Sequence, residues 1–186
     1  MLAQRKTRKF TPDEYQWMGR VGILCPDERV ELLDGVVVIM SPMGPRHNKY
    51  VNSTAEWFTV RANDRFHVWA QSSIRLPNNS EPELDVVLLK RRADGYETRL
   101  PGADDVLLLI EAADSSIDDD RDRKIPMYAR AGIAEVWLED LTTNEITVHR
   151  DPVKGEYQSV QTIGPGNTIA PLALPDLVLR YEDIFS

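Results

Sequence analysis

Asp85-Val86-Val87-Leu88-Leu89 and, further along, Val106-Leu107-Leu108-Leu109-Ile110-Glu111 are the stretches that decide the fold. Each is a continuous apolar run rather than an alternating one, which is the pattern of a strand covered on both faces. Two such strands require a sheet with a layer packed on either side. Each run also carries one acid at an end: Asp85 opens the first and Glu111 closes the second. A carboxylate beside a buried strand costs free energy unless it is paired, hydrogen-bonded or bound to a cation. One such strand alone would read as an acid marking a strand end at the surface. Two of them, followed by Lys124 in the next helical segment, point to a site.

Upstream, Thr11-Pro12-Asp13-Glu14 reads as a helix start, with Thr11 as N-cap, proline in the first turn and Glu14 completing a capping box; the helix ends near Gly19 or Gly22. The β-rich runs 30–33 and 36–39 flank Asp34-Gly35, the strongest hairpin signal in the chain. From Arg46 to about Ala62, the spacing of Val51, Ala55, Phe58 and Ala62 predicts an amphipathic helix. Residues 66–69 and 74–76 read as strand segments, and 77–80 as a turn.

Downstream, an acidic stretch from Asp114 to Asp120 leads into a helix that passes through Tyr128 and stops at Gly132. Residues 134–138 and 146–149 form a second hairpin, and the Pro- and Gly-rich tail from Gly164 wraps irregularly before a short C-terminal helix. The expected class is α/β (α+β): a mixed central β-sheet flanked by helices, preceded by a helix and a β-hairpin. One domain is expected over residues 1–186, with its core at about 11–150 and a wrapping segment at 151–186.

Bulk properties narrow the function classes. No apolar run approaches the length of a membrane span, and the basic start is not followed by an apolar stretch, so no membrane association or secretion is expected. The single cysteine, Cys25, excludes an internal disulfide or a zinc cluster, which suits a reducing cytoplasm, and beside Leu24 and Pro26 it reads as a core or loop residue rather than a nucleophile. A net charge of −8 opposes a generic nucleic-acid binder, although acids gathered around a bound cation would invert the local sign. Basic residues cluster at 5–9 and 90–92, where a solvated surface is the plainer reading.

Asp85 and Glu111 converging from neighbouring strands would suit a hard cation such as Mg²⁺, which takes one or two carboxylates together with water and substrate phosphate. An ammonium from Lys124 would supply positive charge for a pentavalent phosphorus centre. The set suits phosphodiester hydrolysis and needs no cysteine, nucleotide loop or organic cofactor.

Residues 80–87, 109–116 and 120–133, with Arg29-Val30-Glu31-Leu32-Leu33-Asp34-Gly35, Met40-Ser41-Pro42 and His47 upstream, resemble the bacterial putative restriction-endonuclease family abundant in cyanobacteria, within the PD-(D/E)XK nuclease superfamily. The resemblance runs from about Thr11 to the C-terminus and implies a restriction-endonuclease-like fold, DNA as substrate and Mg²⁺ or Mn²⁺ as cofactor. By motif, Asp85 and Glu111 would be metal ligands, with the backbone carbonyl of Ala112 as a third. The superfamily pattern asks for lysine two residues after the glutamate, where this chain has Ala113; Lys124 matches the position to which the lysine has migrated onto the helix. The resemblance also raises Glu31 as an additional acid and His47 as a contact to phosphate, against their plainer readings as a cross-strand glutamate and a structural histidine. It implies a homodimer, since folds of this type frequently cut two strands as pairs.

Gln71 falls where a strand enters the same region and is a further candidate; His67 and His149 read as structural. Two rivals stand beside the enzyme. The first is a non-catalytic nuclease-fold module binding nucleic acid or protein in a defence or mobile-element system. The second is a serine hydrolase using Ser41, Ser115 or Ser116, for which no G-x-S-x-G elbow exists.

Overall fold

The two apolar runs become adjacent antiparallel strands at the centre of a six-stranded mixed sheet. The computed structural model describes residues 7–25, 27–114, 117 and 120–185. Arg5 and Lys6 of the N-terminal basic cluster, Ser115, Ser116 and the middle of the acidic stretch lie outside the described residues. The sheet order is β3 (Phe66–Ser73), β4 (Glu83–Lys90), β5 (Val106–Ala113), β6 (Glu135–Asp140), β7 (Glu145–Val153) and β8 (Glu156–Ile163). All neighbours are antiparallel except β5 and β6, which run parallel. A parallel pair needs a crossover, and here it contains a π-helical turn (Asp120–Lys124) and a helix (Ile125–Ala131) closed by left-handed Gly132.

The N-terminal helix α1 (Pro12–Arg20) starts at the expected capping box, with Thr11 and Glu14 exchanging hydrogen bonds. The hairpin of β1 (Val30–Leu33) and β2 (Val36–Ile39) turns at Asp34 and Gly35, both at positive φ, as a two-residue loop requires. Helix α2 (Pro45–Thr59) ends before Ala62, and its buried face adds Tyr50 and Thr54 to Val51 and Phe58. The helix after the π turn is α3. Two short strands, β9 (Thr168–Ile169) and β10 (Leu179–Arg180), pair with each other in the tail.

Three expectations are corrected. Residues 74–76 are not a strand of their own; Arg75 and Leu76 make isolated bridges with Gly102 and Ser80. The expected C-terminal helix is a single 3-10 turn, Tyr181–Asp183. Residues 156–163, unmarked in the sequence, form the edge strand β8.

Side chains of the central strands alternate between two cores. Val86, Leu88, Leu108, Ile110 and Trp137 face α2 and the tail, whereas Val87, Leu89, Leu109, Ala113 and Leu138 face α3. By the same alternation Glu111 faces α3. Glu135, on β6, fastens the tail to the sheet: it accepts hydrogen bonds from Trp137 Nε1 (2.8 Å), Arg150 (2.6 and 2.8 Å) and the backbone N–H of Leu172 (2.6 Å). Among the described residues no helix is long and apolar enough to cross a membrane.

Beneath α2 lies Glu139, 1 % exposed, whose carboxyl oxygens accept the hydroxyl of Thr54 at 3.1 and 3.3 Å. Burial pushes its pKa from 4.5 up to about 8. The unfolded chain releases this proton near pH 4.5 and the folded chain retains it to about pH 8, so folding binds a proton in that window and stability falls as pH rises through it. Glu139→Gln is expected to flatten that fall, raising Tm at pH 8 by about 5 °C relative to the parent while changing it little at pH 4.5. Thermal unfolding of both proteins across the window measures this, and parallel Tm curves would assign the titration elsewhere.

Candidate active site

The ladder between β4 and β5 runs from Leu89 opposite Val106 to Val86 opposite Ile110, and there it stops. Past that point carboxylates replace carbonyls as acceptors. The backbone N–H of Asp85 donates to Oε2 of Glu111 at 3.3 Å, and the N–H of Ala112 donates to Oδ2 of Asp85 at 2.8 Å. Backbone donors near a sheet interior need partners, so the same bonds that satisfy the strand ends also hold both acids at the parting of the strands.

These ends open into a cleft of about 430 Å³, walled by the β1–β2 hairpin, residues 40–44 and the start of α2. Asp85, Glu111, Lys124, Glu31 and His47 all line it, so the five side chains singled out from sequence come together. Ala112 contributes its N–H to Asp85 and does not itself line the cleft. Gln71 is not among the lining residues either; it sits at positive φ on β3 with its amide nitrogen 2.8 Å from the sulfur of Met43. Cys25 is exposed, outside the cleft.

Lys124 reaches the cleft from the last position of the π turn, and its ammonium has several acidic neighbours: Glu31 Oε2 at 3.2 Å, Asp120 Oδ1 at 3.6 Å and Glu111 Oε1 at 3.8 Å. It also donates to the carbonyl of Glu83 at 3.5 Å. Burial opposes the lysine's charge, but Glu111, Glu31 and Asp120 outweigh it and raise the lysine pKa. On the acidic side the balance is reversed. Burial pushes Glu111 well above the usual carboxylate range, Asp85 and Asp120 push further, and Lys124 only partly opposes them. Burial likewise raises Glu31. Burial penalises each carboxylate first, and a single ammonium is shared among more of them than it can neutralise.

His47 sits in the first turn of α2 with Nε2 3.0 Å from Asp85 Oδ1. The hydrogen bond to Asp85 raises the histidine pKa, so the contact favours the charged form of the ring. Glu31 accepts the backbone N–H of Glu83 at 3.2 Å, which ties the hairpin to the start of β4. Arg29 closes one side of the cleft, 2.5 Å from Glu83 Oε1.

Sequence reasoning missed Asp120, Glu83, Arg29 and Tyr128. The hydroxyl of Tyr128 donates to Oε1 of Glu111, and the ring is completely buried. Burial and the adjacent carboxylate raise the phenol pKa well above its ordinary value, so it stays a donor. Asp120, Lys124 and Tyr128 are spaced by four, and that spacing was the available signal.

A hard divalent cation fits this chemistry. Among the described residues, six acids line the cleft (Glu31, Glu83, Asp85, Glu111, Asp114 and Asp120) against two permanent cations, Arg29 and Lys124. The surplus is one a dication would relieve. Among the described residues no three His, Cys, Asp or Glu side chains form a ready cation cage. Mg²⁺ does not require one, since it keeps several waters and uses one or two carboxylates with substrate phosphate.

Comparison with known proteins supplies the family. No curated protein sequence matches the chain. Among solved structures it is similar to the crystal structure of "a putative nuclease belonging to DUF820" from Anabaena variabilis ATCC 29413, with a TM-score of 0.67, 15% identity, and coverage of 84% of this chain and 89% of that one. That likeness establishes the shared fold. The profile of the Uma2 family, described as "Putative restriction endonuclease", matches residues 14–182. The chain therefore belongs to the Uma2 family of restriction-endonuclease-like proteins.

Proposed function

We propose that the chain is an endonuclease that requires Mg²⁺ or Mn²⁺ and hydrolyses phosphodiester bonds, in DNA, by direct attack of water. One observation carries this reading: Asp85 and Glu111 are fixed by each other's strand at the point where β4 and β5 part, with Lys124 in the same cleft. Family membership supports it.

Asp85 and Glu111 would hold the cation, which when bound supplies Lewis acidity and countercharge to the scissile phosphate; the carbonyl of Ala112, lying behind the cleft wall, could join them only if the strand end shifted toward the ion. The remaining work falls to side chains. His47 orients Asp85 through its 3.0 Å contact. Lys124, held between Glu31 and Asp120, offers an ammonium to the phosphate oxygens, whose charge grows as water adds to phosphorus. Glu31 and Asp120 keep that lysine charged at the pH of the reaction. Glu31 thus acts through Lys124, and His47 through Asp85. The residue two places after Glu111 is Ala113, fully buried in the α3-side core, so the positive charge comes from the helix instead of the strand.

Asp85→Asn and Glu111→Gln should each lower the rate of DNA nicking in Mg²⁺ or Mn²⁺ on the order of 10³-fold and weaken Mn²⁺ binding in calorimetry. Full activity in either variant would remove these acids from the mechanism. Binding of DNA or RNA without cleavage of single- or double-stranded forms in either metal would favour a binding module over a nuclease.

Lys124→Met separates the two roles, because it removes the ammonium and leaves the acids. Mn²⁺ binding should persist or tighten, while cleavage falls about 10²-fold. Loss of Mn²⁺ binding in a folded Lys124→Met protein would show that the lysine organises the cation site rather than the phosphate.

A further inference from the structure

The donor that holds Glu111 is not the lysine. Lys124 Nζ lies 3.8 Å from Oε1 of Glu111, too far for a hydrogen bond, whereas the hydroxyl of Tyr128 donates directly to that oxygen. The other oxygen, Oε2, accepts the backbone N–H of Asp85 at 3.3 Å. Each carboxylate oxygen has two lone-pair sites, so both oxygens are anchored and each retains a site for a further partner.

The tyrosine itself cannot wander. Its ring is 0 % exposed and packs in the α3-side core with Leu109, Ile125 and Leu138. Ring packing therefore fixes the hydroxyl, the hydroxyl fixes Oε1, and β4 fixes Oε2. We propose that Tyr128 is a positioning residue that locks the carboxylate of Glu111 in the orientation that binds the divalent cation. This rests on the reading of Glu111 as a cation ligand.

The spacing supports a shared purpose. Asp120, Lys124 and Tyr128 follow one another at intervals of four through the π turn and into α3, and all three lie around Glu111. Lys124 is left with looser contacts of 3.2 to 3.8 Å to several carboxylates. It can turn toward a substrate phosphate without releasing Glu111, because Glu111 does not depend on it.

The test is Mn²⁺ affinity, measured by calorimetry and by electron paramagnetic resonance on the full chain without nucleic acid. Tyr128→Phe keeps the ring and removes only the donor. The expected result is an Mn²⁺ Kd weaker by about 10- to 100-fold, the usual cost of losing a partner that orients a metal ligand. If the parent binds Mn²⁺ and folded Tyr128→Phe binds it equally well, the positioning role is overturned while the cation site stands. If the parent takes up no Mn²⁺, the reading of the cleft falls and this role falls with it. Should Tyr128→Phe fail to fold, replacement at 128 by 4-aminophenylalanine, which donates, and by 4-fluorophenylalanine, which fills the space without donating, makes the same comparison. Recovery by the amino form alone supports the proposal, and equal affinities for the two overturn it.

Discussion

The site depends on a broken ladder. Two buried strands that pair down to Val86 and Ile110 cease to pair beyond them, and the N–H groups left over are taken by the carboxylates of Asp85 and Glu111. An unpaired backbone donor near a sheet interior costs about as much as a lost hydrogen bond, and an unpaired buried carboxylate costs more. Each need answers the other. The acids are consequently held by main chain, the least mobile partner available, and that fixes their geometry without help from any ligand.

The electrostatics extend the same economy. Lys124 is shared by Glu31, Asp120 and Glu111, so removing any one acid still leaves the ammonium compensated, whereas removing the lysine leaves several buried acids without a counterion. Buried charge is weak evidence for stability, because desolvation offsets much of the attraction. The excess negative charge of the cluster is what the proposed cation would neutralise. The acidic whole chain, at −8, then has a local meaning: part of that charge lines a single cleft.

Much of this could be read from the sequence, and the parts that could not share physical reasons. The capping box at Thr11 and the Asp34-Gly35 turn were legible because their signals are local and their residue types are required by backbone geometry. The acids at 85 and 111 were legible because they interrupt apolar runs. Strand β8 was not, since it is an edge strand exposed on both faces, with Glu156, Gln158 and Gln161 pointing to solvent and no buried stripe to set a period. Tyr128 was not, because an aromatic ring in a core helix has the same pattern whether or not its hydroxyl has a task. Asp120 was submerged in an acidic stretch, and Glu139 lay just past the expected strand 134–138 although it is sealed beneath α2. Gln71 fell between the expected strand segments 66–69 and 74–76; it lies on β3, where its left-handed backbone sets its amide against Met43.

Ala113 bears on where this architecture can carry its positive charge. Its side chain is fully buried between β5 and α3, where a methyl group lets helix and sheet close together. A lysine there, as in the superfamily's usual pattern, would thrust a long cationic chain into an apolar seam, and withdrawing Lys124 at the same time would strand Glu31 and Asp120. No single substitution can therefore carry the charge from helix to strand: as long as the seam is packed around a methyl group, the ammonium belongs on the helix.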